Sequence, residues 1–192
     1  MRLILASTSR HRRALLDRLG IDYEALPHAC DEAAAQASAL APEALAADLA
    51  LAKAQSLRPA HPGAWILGSD QVLDLDGEVL GKPGSPERAV EQLARLQGRS
   101  HRLLTAACLL GPDGQRREAL DVHTLRMRAL DAAALARYVA ADQPLDCCGS
   151  YMIEARGIAL FESIQGSDFT AIVGLPMIAV VSMLAEAGFP VH

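Results

Sequence analysis

The stretch Leu3-Ile4-Leu5-Ala6-Ser7-Thr8-Ser9, followed by a helical pattern from about Arg10 to Leu19, decides the predicted fold. Four apolar residues in a row predict a short buried strand, and the three hydroxyl residues after it are all candidate helix N-caps. Gly20 is the predicted end of the helix. A strand, a cap and a helix in this order are typical of an α/β protein.

The rest of the chain alternates strands and helices without a repeat or a linker, which favours an α/β fold with two lobes paired across a central sheet. Asp70 follows a short apolar strand, and a hairpin is predicted after it. Leu120 and Val122 share one strand parity while Leu125 has the other, which predicts a bulge near His123. The predicted strands cover 65–68, 72–75, 78–80, 102–110, 119–127 and 158–164, and the predicted later helices cover 42–57, 85–97, 131–141 and 176–187.

Composition excludes several classes of protein. The chain has 192 residues, of which 51% are hydrophobic and 21% charged, as expected for one ordinary globular domain. No apolar run reaches the ~18 residues of a membrane span, and the first apolar run is too short for an export signal. A net charge of −5 argues against binding to nucleic-acid backbone. The four cysteines lack metal-site or disulfide-framework spacing, which predicts reduced thiols in the cytoplasm.

Arg12 is the first residue that points to chemistry. On a helix it lies on the same side as Leu15, Leu16 and Leu19, which must face the core. A guanidinium in this position needs an anion, and the hydroxyls of Ser7 and Ser9, with the helix N-terminus, make a phosphate the suitable one. Pairing of Arg12 with an internal carboxylate is the alternative.

Asp70, at the predicted carboxyl end of a strand, could hold a metal or take a proton from water, although a solvated turn aspartate would give the same pattern.

Two lysines are further candidates. Lys53 borders an apolar helix face and could turn inward or extend along that face to water, and Lys82 could bind phosphate or lie on the surface. The segment from Gly77 to Pro83 lacks the spacing and the Ser/Thr of a P-loop. Histidine spacing does not fit zinc, so any metal would be Mg²⁺ or Mn²⁺.

Nine short segments carry a pattern that extends nearly from end to end of the chain. They are Leu3 to Ser9, Arg12-Arg13, Leu15-Leu16, Asp31-Glu32, Lys53-Ala54, Gly68-Ser69-Asp70-Gln71-Val72, Asp76-Gly77-Glu78, Gly81-Lys82-Pro83 and Val173-Gly174-Leu175-Pro176. In order and spacing these segments resemble the Maf-type nucleoside triphosphate pyrophosphatases. The form Gly-Ser-Asp-Gln is similar to the branch that acts on 7-methylguanosine triphosphate.

The resemblance implies one domain, residues 1–192, with an elongated mixed sheet flanked by helices, two lobes around a deep cleft, and often a homodimer. The implied reaction is hydrolysis of a nucleoside triphosphate to its monophosphate and pyrophosphate. Asp70 would accept the proton of the attacking water, and Glu32 and Asp70 would hold Mg²⁺ or Mn²⁺. The phosphates would be bound by Ser7, Ser9, Arg12, Arg13, Lys53 and Lys82.

The resemblance also assigns substrate choice to His11, Gln71 and Glu154. A carboxylate at Glu154 suits a cationic 7-methylguanine ring by charge and by hydrogen bonding. The chain departs from its relatives at Arg10-His11, where many have Pro-Trp, and at 168–171, which lacks their asparagine. Two alternatives stay open: a pyrophosphatase for dTTP, UTP and CTP, and a nucleotide-binding regulator of cell division without catalytic activity.

Overall fold

The computed structural model describes residues 1–32 and 40–191, and these form a seven-stranded mixed sheet with helices. The strand order is β2-β1-β3-β5-β6-β7, with β4 paired to β3. The strands are β1 (Leu3–Leu5), β2 (Glu24–Ala25), β3 (Trp65–Leu75), β4 (Glu78–Leu80), β5 (Ser100–Leu110), β6 (Arg116–Met127) and β7 (Phe161–Gln165). The helices are α1 (Arg10–Leu16), α2 (Pro42–Leu57), α3 (Pro86–Leu96), α4 (Ala132–Asp142), α5 (Phe169–Val173) and α6 (Met177–Glu186). The predicted α/β class is confirmed.

Strand β1 pairs in parallel with β2 along one edge and with β3 along the other, and helices cover both of its faces. Leu3 and Leu5 pack with residues of α1 and α6, whereas Ile4 packs with residues of α2. Fully burying a side chain of this size is worth about 1.5–3 kcal/mol. A slip of one residue would exchange the two faces, so the alternation fixes the register of β1.

The described residues form two compact units. The first comprises Met1–Gln71, Thr105–Asp121 and Asp168–His192, and it contains β1, α1 and α2. The second comprises Val72–Leu104 and Val122–Ser167, and it contains α3 and α4. The predicted cleft between two lobes stays a prediction.

Strand β3 differs from its prediction because it runs without interruption from Trp65 to Leu75. Asp70 therefore lies within a strand and does not follow one. The parallel pairing with β1 ends at Leu67, whose carbonyl oxygen accepts a hydrogen bond from the Ala6 nitrogen. After Ala6 the chain leaves the sheet and leads into α1. Asp70 consequently lies beyond the end of its neighbouring strand, although its own strand continues.

Two further predictions need correction. Burial alternates regularly along β6, with Asp121 and His123 inside and Leu120 and Val122 outside, so the predicted change of parity near His123 is wrong. The prediction assumed that buried positions are apolar, whereas polar residues occupy two of the buried positions in this strand. The segment predicted as a strand from 158 begins as a 3₁₀ turn, Arg156–Leu160, and only then becomes β7.

The first helix, predicted to reach Leu19, ends at Leu16 and continues as a 3₁₀ turn, Asp17–Leu19. The remaining boundaries agree with the sequence to within three residues. Ser9, Ser85 and Asp131 cap α1, α3 and α4 through their side chains. The cysteines Cys30, Cys108, Cys147 and Cys148 are free thiols. Within the described ranges, no helix combines the length and the apolar character that crossing a membrane requires.

The close approach of α2 to β3 predicts that Gly68→Ala destabilises the protein by about 1–3 kcal/mol. A Cβ atom at Gly68 would lie 2.1 Å from the Ala50 carbonyl oxygen and 2.8 Å from the Ala54 nitrogen, so two backbones would have to separate. Urea unfolding followed by circular dichroism measures the loss. Gly63→Ala is the matched control, because a Cβ there has no neighbour within 4 Å. Equal unfolding midpoints for the two variants would contradict the prediction.

The burial of His101 predicts that the protein loses stability in acid. His101 is 2% exposed, and its Nε2 hydrogen-bonds to the Tyr151 hydroxyl at 3.1 Å, while its Nδ1 has no partner among the described residues. Burial lowers the pKa of His101 from 6.5 to about 4. In that pH window only the unfolded chain binds the proton, so the free energy of unfolding falls by up to about 3 kcal/mol as the pH is lowered.

The variant His101→Phe tests this assignment through the slope of stability against pH. Its overall stability drops because Tyr151 loses a partner, but its unfolding free energy should depend less on pH between 6.5 and 4. Denaturant unfolding at a series of pH values measures both quantities. An unchanged slope would show that other groups cause the acid sensitivity.

Candidate active site

The junction between β1 and α1 holds Arg12 in a defined position. Ser9 caps the helix by accepting from the Arg12 backbone nitrogen, and Ser7 accepts from one terminal nitrogen of the guanidinium at 3.4 Å. The Arg12 Nε donates to the Gly174 carbonyl at 3.0 Å. These two side-chain contacts are to uncharged oxygens, so they orient the guanidinium without neutralising it.

Gly174, at the end of α5, allows this contact. Its φ is +140°, and a Cβ there would lie 3.3 Å from Cγ of Arg12. The same carbonyl accepts from the Ser69 hydroxyl at 3.2 Å. One backbone oxygen thus brings Arg12 next to the residue that precedes Asp70.

Lys53, on α2, forms the centre of a buried charged group. Its ammonium lies 2.6 Å from Oδ1 of Asp70 and 2.7 Å from Oε1 of Glu32. Lys53 is 3% exposed and Asp70 is 8% exposed, whereas Glu32 is half-buried. A buried cation needs such partners, because an unpaired charge would cost several kcal/mol. Of the two alternatives left open for Lys53, the structure therefore shows the inward one.

Side chains alternate between the two faces of β3, so the four consecutive residues from Gly68 to Gln71 contact two different helices. Gly68 and Asp70 face α2, where Gly68 allows close contact and Asp70 meets Lys53. Ser69 and Gln71 face the other side of the strand and bind α5. The Gly-Ser-Asp-Gln segment therefore joins α2 and α5 to opposite faces of one strand.

Gln71 is held through its amide nitrogen. This atom donates to the carbonyls of Ala171 and Ile172, both at 3.0 Å, and lies 3.1 Å from the Thr105 hydroxyl. Thr105 itself donates to the Ala171 carbonyl at 2.8 Å. The side-chain oxygen of Gln71 is then the atom best placed to accept a hydrogen bond from a ligand.

The sequence analysis missed His28. Its Nε2 lies 3.2 Å from Oε1 of Glu32, and its Nδ1 lies 3.4 Å from the sulfur of Cys30. Burial, followed by the charge of Lys53, lowers the pKa of His28, and burial raises the pKa of the Cys30 thiol. A neutral imidazole protonated on Nε2 fits both contacts, because it donates to Glu32 and accepts from the thiol.

Arg12 belongs to the same electrostatic environment. Its positive charge, like that of Lys53, lowers the pKa of His28. The negative charges of Glu32 and Asp70 raise the same pKa. The spacing of His28 four residues before Glu32 is the only sequence signal that could have identified the histidine. That spacing is too common to select it from six histidines.

The other predicted residues are more exposed. Arg13 lies on the surface of α1, and half-buried His11 accepts from Nε of Arg10 at 3.2 Å. Lys82 and Glu154 belong to the second unit, and both side chains are exposed. Within the first unit, Lys53 contacts Asp70 and Glu32, and Arg12 contacts Ser7 and Ser9, while Gln71 lies on the face of β3 opposite to Asp70.

Glu32 and Asp70 fit a divalent cation of the Mg²⁺ class. One carboxylate oxygen of each residue lies against the Lys53 ammonium, and with Lys53 the two carboxylates carry a net charge of about −1 when ionised. The described residues contain no group of three or more His, Cys, Asp or Glu able to hold a metal. Mg²⁺ commonly binds one or two carboxylates and takes its other ligands from water and substrate phosphates. The donor set suits such a shared site.

This chain is similar to known proteins over nearly its whole length. The family model described as Maf-like protein matches residues 2–187. A protein of Xanthomonas campestris pv. campestris named 7-methyl-GTP pyrophosphatase is 48% identical over 98% of this chain and 97% of its own. One of the same name from Bdellovibrio bacteriovorus is 45% identical over 96% of each chain. Among solved structures, the Staphylococcus aureus Ham1 protein matches with a TM-score of 0.49 and 17% identity, covering 66% of this chain and 72% of its own. The match of the family model and the two sequence relatives show that this chain belongs to the Maf-like protein family.

Proposed function

We propose that the protein hydrolyses 7-methyl-GTP to 7-methyl-GMP and pyrophosphate, as a hydrolase acting on an acid anhydride. The observation that carries the proposal is the buried ammonium of Lys53 bound to both Asp70 and Glu32. A lysine between two carboxylates, together with an oriented arginine in the same unit, suits the charge of a polyphosphate and its counter-ion. The name of the relatives at 45% and 48% identity supports the choice of substrate.

The phosphates are bound by a set of positive and hydroxyl groups. A nucleoside triphosphate carries about four negative charges, and the departing pyrophosphate needs fixed cations near it. Arg12 is already oriented by Ser7 and Gly174, so binding requires little rearrangement of its side chain. Lys53 has three ammonium protons, and one remains for a phosphate oxygen after Asp70 and Glu32 are satisfied. Ser9, Arg13 and Lys82 complete the proposed set.

Asp70 is the proposed proton acceptor. The oxygen of a water molecule forms a bond to phosphorus, the anhydride bond between the α- and β-phosphates breaks, and pyrophosphate leaves with the bridging oxygen. The water proton passes to the carboxylate of Asp70. Lys53 holds Oδ1 of this carboxylate at 2.6 Å and so fixes its orientation.

The proposal includes Mg²⁺ or Mn²⁺ as a cofactor held by Glu32 and Asp70. When bound, the ion supplies positive charge for the phosphate oxygens. His28 donates to Glu32 and fixes the orientation of that carboxylate.

Base recognition is assigned to Glu154, Gln71 and His11. Glu154 supplies a negative charge for a cationic 7-methylguanine ring, and Gln71 offers its side-chain oxygen to a base N–H group.

One observation favours a second candidate, the hydrolysis of dTTP, UTP or CTP. Arg10 contacts His11 directly, and this positive charge is unfavourable beside a cationic base.

The proposal also assigns the enzyme to the cytoplasm, where nucleoside triphosphates are made and used. It takes a small-molecule nucleotide as its partner, with no role for nucleic acid or membrane, and it includes a homodimer. Analytical ultracentrifugation of the purified chain measures the assembly.

A panel of nucleotides tests the substrate. With Mg²⁺ or Mn²⁺ present, the kcat/KM for 7-methyl-GTP should exceed that for GTP, dTTP, UTP and CTP by about tenfold or more, because discrimination of a charged base is worth about 1.4 kcal/mol or more. Released pyrophosphate is the measured product. Faster turnover of the pyrimidine nucleotides would select the second candidate. Tight nucleotide binding without pyrophosphate release under either ion would favour a regulator.

Asp70→Asn tests the proposed proton acceptor. The amide keeps the shape of the side chain but cannot accept the proton, so kcat should fall by about 10²- to 10⁴-fold. Steady-state assays with the preferred nucleotide measure this change, and circular dichroism checks the fold. Asp48→Asn, an exposed position on the same helix as Lys53, is the control and should keep full activity. Full activity of the Asp70 variant would exclude the assigned role.

A further inference from the structure

The loop between β4 and α3 carries Lys82, and a side chain of α3 holds this loop. Gln92 donates from Nε2 to the carbonyl oxygen of Gly81 at 2.8 Å. Gly81 directly precedes Lys82, so the hydrogen bond acts on the peptide group from which the Lys82 residue extends. All of these residues belong to the second unit.

Gln92 is itself oriented by Ser150, whose hydroxyl donates to Oε1 of Gln92 at 2.6 Å. This contact fixes which end of the amide faces which partner, because only the nitrogen end can donate to the Gly81 carbonyl. Ser150 is fully buried and has a φ of +62°, a conformation in which a glycine would be less strained. In this conformation the Ser150 hydroxyl reaches Gln92, a contact that a glycine could not make.

The segment around Ser150 holds the Lys82 loop at two further points. The thiol of Cys148 donates to the Leu80 carbonyl at 3.1 Å, and the Gly84 nitrogen donates to the Leu145 carbonyl at 3.1 Å. The backbone on both sides of Lys82 is therefore fastened, whereas the Lys82 side chain is exposed. A long flexible lysine that must meet an anion gains from a fixed starting point, because less conformational entropy is lost on binding.

We propose that Gln92 is a positioning residue for Lys82, holding the Gly81 carbonyl so that the Lys82 ammonium is presented to the phosphate groups of the nucleotide. The proposal rests on the proposed function, in which Lys82 binds phosphate. Gln92 touches neither nucleotide nor metal in this scheme and acts only through the loop. Its effect must therefore disappear when the Lys82 ammonium is removed.

The test is a double-mutant cycle on the full chain with Gln92→Leu and Lys82→Ala. The leucine keeps most of the side-chain volume but can neither donate to Gly81 nor accept from Ser150. Glu91→Leu, on an exposed neighbouring position of the same helix, is the matched control. Binding of Mg²⁺-pyrophosphate is measured by calorimetry, and kcat and KM are measured separately with the preferred nucleotide.

We expect Gln92→Leu to weaken pyrophosphate binding and to lower kcat/KM by about 5- to 50-fold, because small misplacements of a binding group have effects of this size. The double variant should be no weaker than Lys82→Ala alone. Gln92→Glu should behave like the leucine variant, because its carboxylate accepts from Ser150 but cannot donate to Gly81. Ser150→Gly should give a smaller loss in the same direction without backbone strain.

Three results would overturn the proposal. These are parent-like binding by Gln92→Leu, losses that multiply in the double variant, and absence of pyrophosphate binding by the parent protein. Multiplying losses would show that Gln92 only supports the packing of α3, a structural role that does not depend on Lys82. A parent protein that binds pyrophosphate but releases none from any nucleotide would refute the proposed function instead, and the calorimetric cycle would still decide the role of Gln92.

Discussion

The contact between α2 and β3 at Gly68 is the constraint on which the candidate site depends. A side chain larger than hydrogen would meet the Ala50 carbonyl oxygen at 2.1 Å, so the helix could not lie where it does. With the helix in that position, Lys53 reaches Asp70 two residues further along the same face of the strand. The close packing of small residues thus determines the distance between two charged groups, and any separation of helix and strand would lengthen a 2.6 Å contact.

Burial of the charged group around Lys53 adds little to the stability of the protein. Two carboxylates and one ammonium, mostly withdrawn from water, gain little net free energy from being buried together, because desolvation cancels much of their attraction. Under the proposed function, a divalent cation and an anionic substrate would complete the charge balance of this group. His28 extends the group by binding Glu32 while burial favours its neutral form. This arrangement keeps the carboxylate oriented without adding a permanent positive charge.

The short helix α5 acts through its backbone. Its carbonyl groups and that of Gly174 receive hydrogen bonds from Arg12, Ser69 and Gln71, and Thr105 adds one more. Backbone oxygens are rigid acceptors whose position is set by the fold, so they orient these side chains at a small entropic cost. At its other end, Asp168 binds the backbone nitrogens of Thr170 and Ile178 and so links α5 to α6. Residues 168–171 therefore form a well-bonded segment.

The sequence by itself determined the α/β class, the strand, cap and helix at the amino end, and the limits of most helices, because caps, apolar periodicity and glycine stops act within a few residues. It also selected Arg12 and Lys53 as candidates through their positions on or beside apolar helix faces, and Asp70 through its place after an apolar run, together with family resemblance. Local patterns could not show that β3 continues through Asp70, since its polar residues bind α2 and α5 rather than water. The partners of Lys53, the part played by His28, the use of the Gly174 carbonyl and the hold of Gln92 on the Lys82 loop were decided only by the tertiary structure. Each depends on atoms that are distant in the chain or lie on the backbone, and these meet only when the apolar faces have packed together.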